Sequence, residues 1–387
     1  MQKNVMMTAV LSLFLAACGG ESKPAASADT DNANAQPEAN AQGGSGGYLN
    51  IYNWSDYVDP QTVADFGKAR NITIRYDYYD SNEALEGKVL TGKSGYDIVA
   101  PTIGFVGRQI QAGAYQKLDK SKIPNYNLIS PVLLEKMAVA DPGNQYAVPF
   151  FWGMNTVGIN VDKVKAALGD LPMPENEWDL VFNPDYAQKL QSCGISILDS
   201  QYEVLPIALN HLGKDPQSNN KDDLKAAVDL IGKVRPYIKR FSSSGYIDDM
   251  ARGDLCLTLG YGGDIHIAQR RAEEAKNGVK LKVFAPKAGV GLWVDSFMLP
   301  VDAKNLDNAY AYINDALDPK VAAKNGDFVS YAPSSLPAKD LMKPEFVNEP
   351  SIFPTDDVLK NSFMLLQKDP ETVKYSVRLW QQLKSGK

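Results

Sequence analysis

The sequence predicts an α/β protein built as two units, each a mostly parallel sheet covered by helices. Two observations carry that prediction. Short strand-like runs alternate with amphipathic helical ones from Leu49 onward, and 387 residues are too many for one small core. No solenoid-type repeat competes with this reading.

The elements follow in order. Residues 49–54 (LNIYNW) open the folded part as a strand, and 60–70 (PQTVADFGKAR) form a helix after Asp59-Pro60 turns the chain. Residues 72–79 (ITIRYDYY) read as the next strand and 82–90 (NEALEGKVL) as a helix. Further strands are expected at 96–101 (YDIVAP), 156–160 (TVGIN), 194–198 (GISIL), 255–260 (LCLTLG), 280–286 (KLKVFAP) and 295–300 (DSFMLP). Further helices are expected at 222–238, 263–278, 306–317 and 370–384. In the last, Val373, Val377, Trp380 and Leu383 fall on one face. Polar residues follow the strand ends: Ser55-Asp56, Pro101-Thr102 and Tyr261 to Asp264. In open α/β sheets, ligands bind at those ends.

The N-terminus carries an address. Lys3, an apolar run from Val5 to Ala17 and the ending Leu15-Ala16-Ala17-Cys18 describe a secretory signal, residues 1–17, too short for an ordinary membrane span. The Leu-Ala-Ala-Cys ending resembles a bacterial lipoprotein signal, which implies cleavage before Cys18 and acylation of its thiol. An ordinary signal with an incidental cysteine is the alternative. Residues 18–47 are rich in Gly, Ala, Ser, Asn and Gln and poor in large apolar side chains, so they are expected to form a flexible tether. Cys193 and Cys256 remain, the number that leaves none unpaired in an exported protein, with two separate buried thiols as the alternative.

Charge and motifs exclude several classes. Hydrophobic content of 44% and charged content of 22% are those of a globular protein, and a dispersed net charge of −6 argues against a nucleic-acid partner. The two histidines, His211 and His266, sit in helical patterns without metal-protease or triad spacing. There is no nucleophile elbow, phosphate loop or dinucleotide fingerprint, so no catalytic residue, metal or cofactor is expected. What the chain offers instead is aromatics beside acids. Trp54 and Tyr57 bracket Asp56, Tyr261 precedes Asp264 by three residues, and Trp293 precedes Asp295 by two, which puts that pair on one face of a strand. Each pair has a plain alternative, a core aromatic beside a helix cap, and Asp264 is a good N-cap candidate. Aromatic faces attract cations and carboxylates bind ammonium groups, so a cleft built from both suits an organic cation with an apolar middle.

These motifs resemble those of the periplasmic polyamine-binding proteins, the putrescine- and spermidine-binding components of bacterial ABC importers. The resemblance runs from about Leu49 to the C-terminus through IYNWSDYVDP, YDSNEALEGKV, YDIVAPT, QKLDKSKIPN, GINVDKVK, SCGISILDS, GGD and WVDSFMLP. It implies the two-lobe periplasmic-binding-protein fold (type II) with a ligand cleft between lobes. The lobes are expected at 48–150 plus 294–340 and at 151–293 plus 341–387. It implies an aromatic box of Trp54, Tyr261, Trp293 and Tyr331, ammonium contacts from Asp264, Asp295 and Glu203, and hydroxyl or backbone contacts from Ser55, Tyr57 and Thr102. Asp56 in NWSDY and Asp264 in GGD resemble the putrescine-type branch, whose disulfide pair Cys193 and Cys256 match. The chain departs from the family at Tyr261, where a Trp is usual, at Thr102, in place of a serine, at Gly104, in place of a serine or tyrosine, and around Glu203 in DSQYEV. Two of these changes remove bulk, so a pocket roomier than a strict diamine site is expected. The implied protein is a periplasmic, membrane-anchored lipoprotein that delivers putrescine, with spermidine as the longer candidate, to an inner-membrane ABC permease. A binder of another solute, such as a sugar, and a secreted hydrolase are the rival readings.

Overall fold

The computed structural model describes residues 47–55, 57–79 and 81–386. Cys18, the signal segment, most of the tether and Asp56 therefore lie outside the described residues.

Two sheets organise the chain. The smaller has three strands in the order β2-β1-β3, all parallel, from β1 (Tyr48–Trp54), β2 (Thr73–Tyr79) and β3 (Ile98–Val99). In β1 the buried residues alternate, with Leu49, Ile51 and Asn53 facing inward. Asp59 then caps helix Pro60–Arg70 by accepting from the Gln61 N–H, with Pro60 at the first helical position, where its missing N–H costs nothing. Phe66 of this helix packs with Leu49, Ile51, Ile98, Phe297 and Ile313 in one core. Fully burying an aliphatic or aromatic side chain of that size contributes about 1.5–3 kcal/mol.

The larger sheet runs β11-β9-β4-β7-β5-β6, with two short strands also paired to β4. Its strands are β4 (Val148–Asn160), β5 (Ile195–Ile197), β6 (Arg240–Phe241), β7 (Leu257–Tyr261), β8 (Leu281–Val283), β9 (Gly291–Phe297), β10 (Ala332–Pro333) and β11 (Phe363–Met364). The expectation of mostly parallel pairing fails here. β4 is antiparallel to β7, β8, β9 and β10, and only β5–β6, β5–β7 and β9–β11 are parallel. The reason is β4 itself, of which only the last five residues read as a strand. Pro149, which cannot donate to a ladder, lies at a register shift between Pro149 and Phe151, and Gly153 interrupts the apolar pattern further along.

Two long strands pass from one sheet toward the other. The first half of β4 pairs with β9 and the second half with β7. The C-terminal part of β9 turns to the smaller sheet, with single bridges from Asp295 to Thr102 and from Met298 to Val99. β4 and β9 are continuous through the expected lobe boundaries at 150/151 and 293/294. Asp295 therefore sits at the seam between sheets.

The closing helix Pro370–Ser385 buries Thr372, Ser376, Trp380 and Leu383, whereas Val377 is exposed. Trp380 and Leu383 are buried as expected, whereas in the first half of the helix the buried positions are Thr372 and Ser376, one residue before Val373 and Val377. The two hydroxyls inside it are satisfied locally, Thr372 by Asp369 and Ser376 by the Val373 carbonyl. Cys193 and Cys256 are joined as a disulfide that ties the start of β5 to the start of β7. Among the described residues no helix is long and apolar enough to cross a membrane.

Candidate ligand-binding site

Three acids define the site, each delivered by the end of a strand or the first turn of a helix. Asp295, on β9, is 5% exposed. Its Oδ2 accepts from the Tyr57 hydroxyl at 2.7 Å and its Oδ1 from the Thr102 hydroxyl at 2.6 Å. Thr102 stands at the N-cap of helix Ile103–Gln111 but makes no capping bond with its side chain. Its hydroxyl instead accepts from the Asn82 amide at 3.0 Å and donates to Asp295.

Asp264 lies in the first turn of helix Gly262–Ala275, whose N-cap is Tyr261. It does not cap that helix with a side-chain bond. Its carboxylate accepts from the Tyr246 hydroxyl at 2.9 Å and the Tyr331 hydroxyl at 3.1 Å. Glu203, in the first turn of helix Gln201–His211, is 7% exposed. It accepts from the Asn155 amide at 3.1 Å and the Tyr261 hydroxyl at 2.9 Å.

The aromatics connect these acids. Tyr331 meets the Trp293 ring edge-on at 4.8 Å between centroids and lies 6.1 Å from the Tyr57 ring. Trp293 can lie against β4 because Gly153 is opposite, where an added Cβ would stand 2.5 Å from the indole. The Tyr246 hydroxyl, besides donating to Asp264, accepts from the Tyr261 N–H at 2.9 Å. One chain of contacts therefore runs from Thr102 through Asp295, Tyr57, Tyr331, Asp264, Tyr246 and Tyr261 to Glu203. Trp54 ends β1 apart from that chain. Its indole N–H donates to the Ala100 carbonyl at 3.0 Å, and its ring stands 4.6 Å from that of Tyr79. Ser55 is exposed beside it.

Burial dominates the electrostatics. It pushes Asp295 up to about 7, although the hydrogen bonds from Thr102 and Tyr57 pull the other way. It pushes Asp264 up to about 6 against the bonds from Tyr246 and Tyr331, and it raises Glu203 as well. The Tyr57, Tyr261 and Tyr331 phenols, buried beside these acids, are held well above their ordinary value and stay protonated donors.

Two neighbours were not foreseen from the sequence. Asn155 lies on the stretch of β4 that did not read as a strand, and its buried Oδ1 meets no donor among the described residues. Tyr246 opens the short helix Tyr246–Arg252 and carries no local signal. The expected roominess at Gly104 is also corrected. A Cβ on Gly104 would lie 1.9 Å from the Tyr202 hydroxyl, so the missing bulk is supplied by another side chain. Among the described residues no group of three or more His, Cys, Asp or Glu is placed to hold a metal. His266 is buried against Ser351, and His211 pairs with Asp179, both away from the three acids.

Comparison with known proteins decides the family. Residues 61–355 match the model for bacterial extracellular solute-binding proteins. The chain belongs to that family. Among its relatives this solute-binding protein is 45% identical over 347 residues to the putrescine-binding periplasmic protein SpuD of Pseudomonas aeruginosa, covering 90% of this chain and 94% of SpuD. It is 46% identical over 340 residues to the putrescine-binding periplasmic protein PotF of Escherichia coli, covering 88% and 92%. The spermidine/putrescine substrate-binding protein PotD of Streptococcus pneumoniae superposes with a TM-score of 0.75 at 29% identity, over 88% of this chain and 99% of PotD. The solute-binding protein thus has the two-lobe periplasmic-binding-protein fold, type II.

Proposed function

We propose that this protein captures a polyamine outside the cytoplasm, putrescine first and spermidine as the longer candidate, and presents it to the permease of an inner-membrane ABC importer. The observation that carries the reading is that Glu203, Asp264 and Asp295 are drawn out of water without an ion pair to any lysine, arginine or histidine among the described residues. Their partners are hydroxyls and one amide, which orient a carboxylate but leave its charge unbalanced. Desolvated carboxylates of this kind favour a ligand that brings its own cations.

A diamine does so at both ends and carries methylenes between them. In this reading the ammonium groups meet Asp264, Asp295 and Glu203, and the rings of Trp54, Tyr261, Trp293 and Tyr331 cover the methylenes. Each ring contributes about 0.5–2 kcal/mol of cation–π attraction where a cation faces it. Ser55, Asp56, Tyr57 and Thr102 supply hydroxyl, carboxylate or backbone contacts. The relatives SpuD and PotF, both putrescine-binding periplasmic proteins, support the same ligand class. A sugar would call for amides and mixed donors rather than converging acids, and the reading is of a binding protein, not an enzyme.

The lobes in this proposal keep the boundaries given above, dividing within β4 and β9. The signal segment and Cys18 support export and a lipid anchor, so the ligand is caught on a leash at the membrane. Fractionation tests the anchor: Cys18→Ser protein that still sediments with membranes overturns it. Calorimetry with putrescine, cadaverine, spermidine and spermine tests the ligand. Binding of at least one with an unfavourable response to added salt is expected. Binding of none, or of a sugar in their place, overturns the reading.

A further inference from the structure

The space above Gly104 is occupied from across the seam. Gly104 is the second residue of helix Ile103–Gln111, which follows β3 of the smaller sheet. Tyr202 is the second residue of helix Gln201–His211, which follows β5 of the larger sheet. A Cβ on Gly104 would stand 1.9 Å from the Tyr202 hydroxyl, 2.6 Å from Cζ and 2.9 Å from Cε2. Any side chain at 104 and the phenol at 202 are therefore mutually exclusive in this arrangement.

Two contacts hold the phenol there. Its hydroxyl donates to the Leu365 carbonyl at 2.6 Å, and its ring meets Phe105 edge-on at 6.0 Å. It directly precedes Glu203 in the first helical turn, about 100° round the helix from it. The electrostatics agree, since burial raises the phenol first and the Glu203 and Asp295 charges raise it further. On its far side Tyr202 lines a recess with Leu205, Leu366 and Gln367. Lys368 also borders that recess, with its ammonium turned to the carbonyls of Pro216 and Ser218 at 3.3 and 2.8 Å.

We propose that Tyr202 is a specificity-determining residue: its ring is the end wall of the ligand cleft beside Glu203, and it sets the length of polyamine admitted. The inference rests on the polyamine reading above. A ligand whose terminal ammonium reaches Glu203 stops at the ring. One carrying a further aminopropyl unit needs the volume the ring fills. Gly104 is the complement of this wall, since only a residue without Cβ leaves room for the phenol.

Calorimetry with putrescine and spermidine on the full chain tests it, using Tyr202→Ala, Tyr202→Phe, Gly104→Ala and the double variant Gly104→Ala/Tyr202→Ala. Tyr202→Ala is expected to shift the ratio of spermidine to putrescine affinity by roughly tenfold or more toward spermidine, the span of about one lost favourable contact. Tyr202→Phe keeps the ring and is expected to hold the wild-type ratio. Gly104→Ala alone is expected to weaken putrescine and lower the melting temperature, and the double variant to recover both. Equal change for both ligands in Tyr202→Ala overturns the proposal, as does Gly104→Ala that binds and melts like wild type. Wild-type protein that binds putrescine while the ratio stays fixed in Tyr202→Ala sinks this inference alone. Wild-type protein that binds neither ligand sinks the polyamine reading with it.

Discussion

Asp295 is held by two hydroxyls, and that fixes what its replacement should do. Asp295→Asn keeps the shape, and a hydroxyl can turn to accept from the new amide, but the charge is gone. Truncating one partner of a desolvated charge pair costs about 2–5 kcal/mol, because the other charge stays buried without it. Calorimetry should therefore find putrescine binding weakened by tenfold or far more, and affinity within about threefold of wild type would remove Asp295 from the site. The raised acids also predict a pH response. Folded Asp295 and Asp264 titrate near 7 and 6 against an ordinary 3.8. Their contribution to the stability of the unliganded protein is thus fully present below 3.8 and lost as pH rises through those values. Cationic ligand pairs with the ionised forms, so affinity should move oppositely, weakening by roughly tenfold or more from about pH 8 to about pH 5, while the ligand's own amines stay protonated. An affinity flat across that range would show that neither acid meets the ammonium groups. Asp264 and Asp295 were legible in the sequence because each lies within three residues of a site aromatic, whereas Glu203 was reached only through the family resemblance. Asn155 and Tyr246 were not, because Asn155 lies on the part of β4 that did not read as a strand and Tyr246 reaches the site from a short helix without a local signal.

Strands carry the next level. Sequence patterning found β1, β2, β5 and β7, whose apolar runs are bounded by polar residues. It lost the first half of β4, where Pro149 and Gly153 imitate a break. Antiparallel pairing followed from that loss, since β4 is the strand that reverses direction between β9 and β7. The helix at the C-terminus was found with Trp380 and Leu383 buried as read, but its first half is displaced, because Thr372 and Ser376 satisfy their hydroxyls locally and so enter the core as if apolar. The disulfide acts at this scale too. It closes a sequence separation of 63 residues between β5 and β7, the strands that deliver Glu203 and Tyr261 to the cleft. In the chain-entropy model such a loop is worth about 4 kcal/mol. Reduction should lower the melting temperature, and thiol labelling of both cysteines in non-reduced protein would contradict the bond.

At the scale of the whole molecule, the larger sheet meets the smaller one through single bridges at Asp295–Thr102 and Met298–Val99. β4 and β9 leave no loop at the seam, so bringing the halves together means twisting a continuous ladder. The two-unit organisation could be read from length and from strand-helix alternation, but the crossing could not, because it depends on pairings far apart in the chain. A ligand gripped by both halves binds only the folded state. At about 1,000 times its dissociation constant it should add about 4 kcal/mol to stability. Thermal unfolding with saturating putrescine checks this, and a melting temperature unmoved by any polyamine while calorimetry reports binding would show that the ligand does not prefer the folded state.

Of the five tryptophans, Trp178 and Trp380 are sealed in the interior, their indole N–H groups bonded to the Gly289 carbonyl at 2.9 Å and to Asp199 at 3.0 Å. Trp293 instead lies two residues before Asp295 with its ring edge-on to Tyr331, and its N–H meets no acceptor among the described residues. Light emitted by this indole responds to whatever settles next to it, over the background of the other four. The molecule thus carries its own optical reporter: a fluorescence titration would follow occupancy in real time, with no dye attached and no side chain altered.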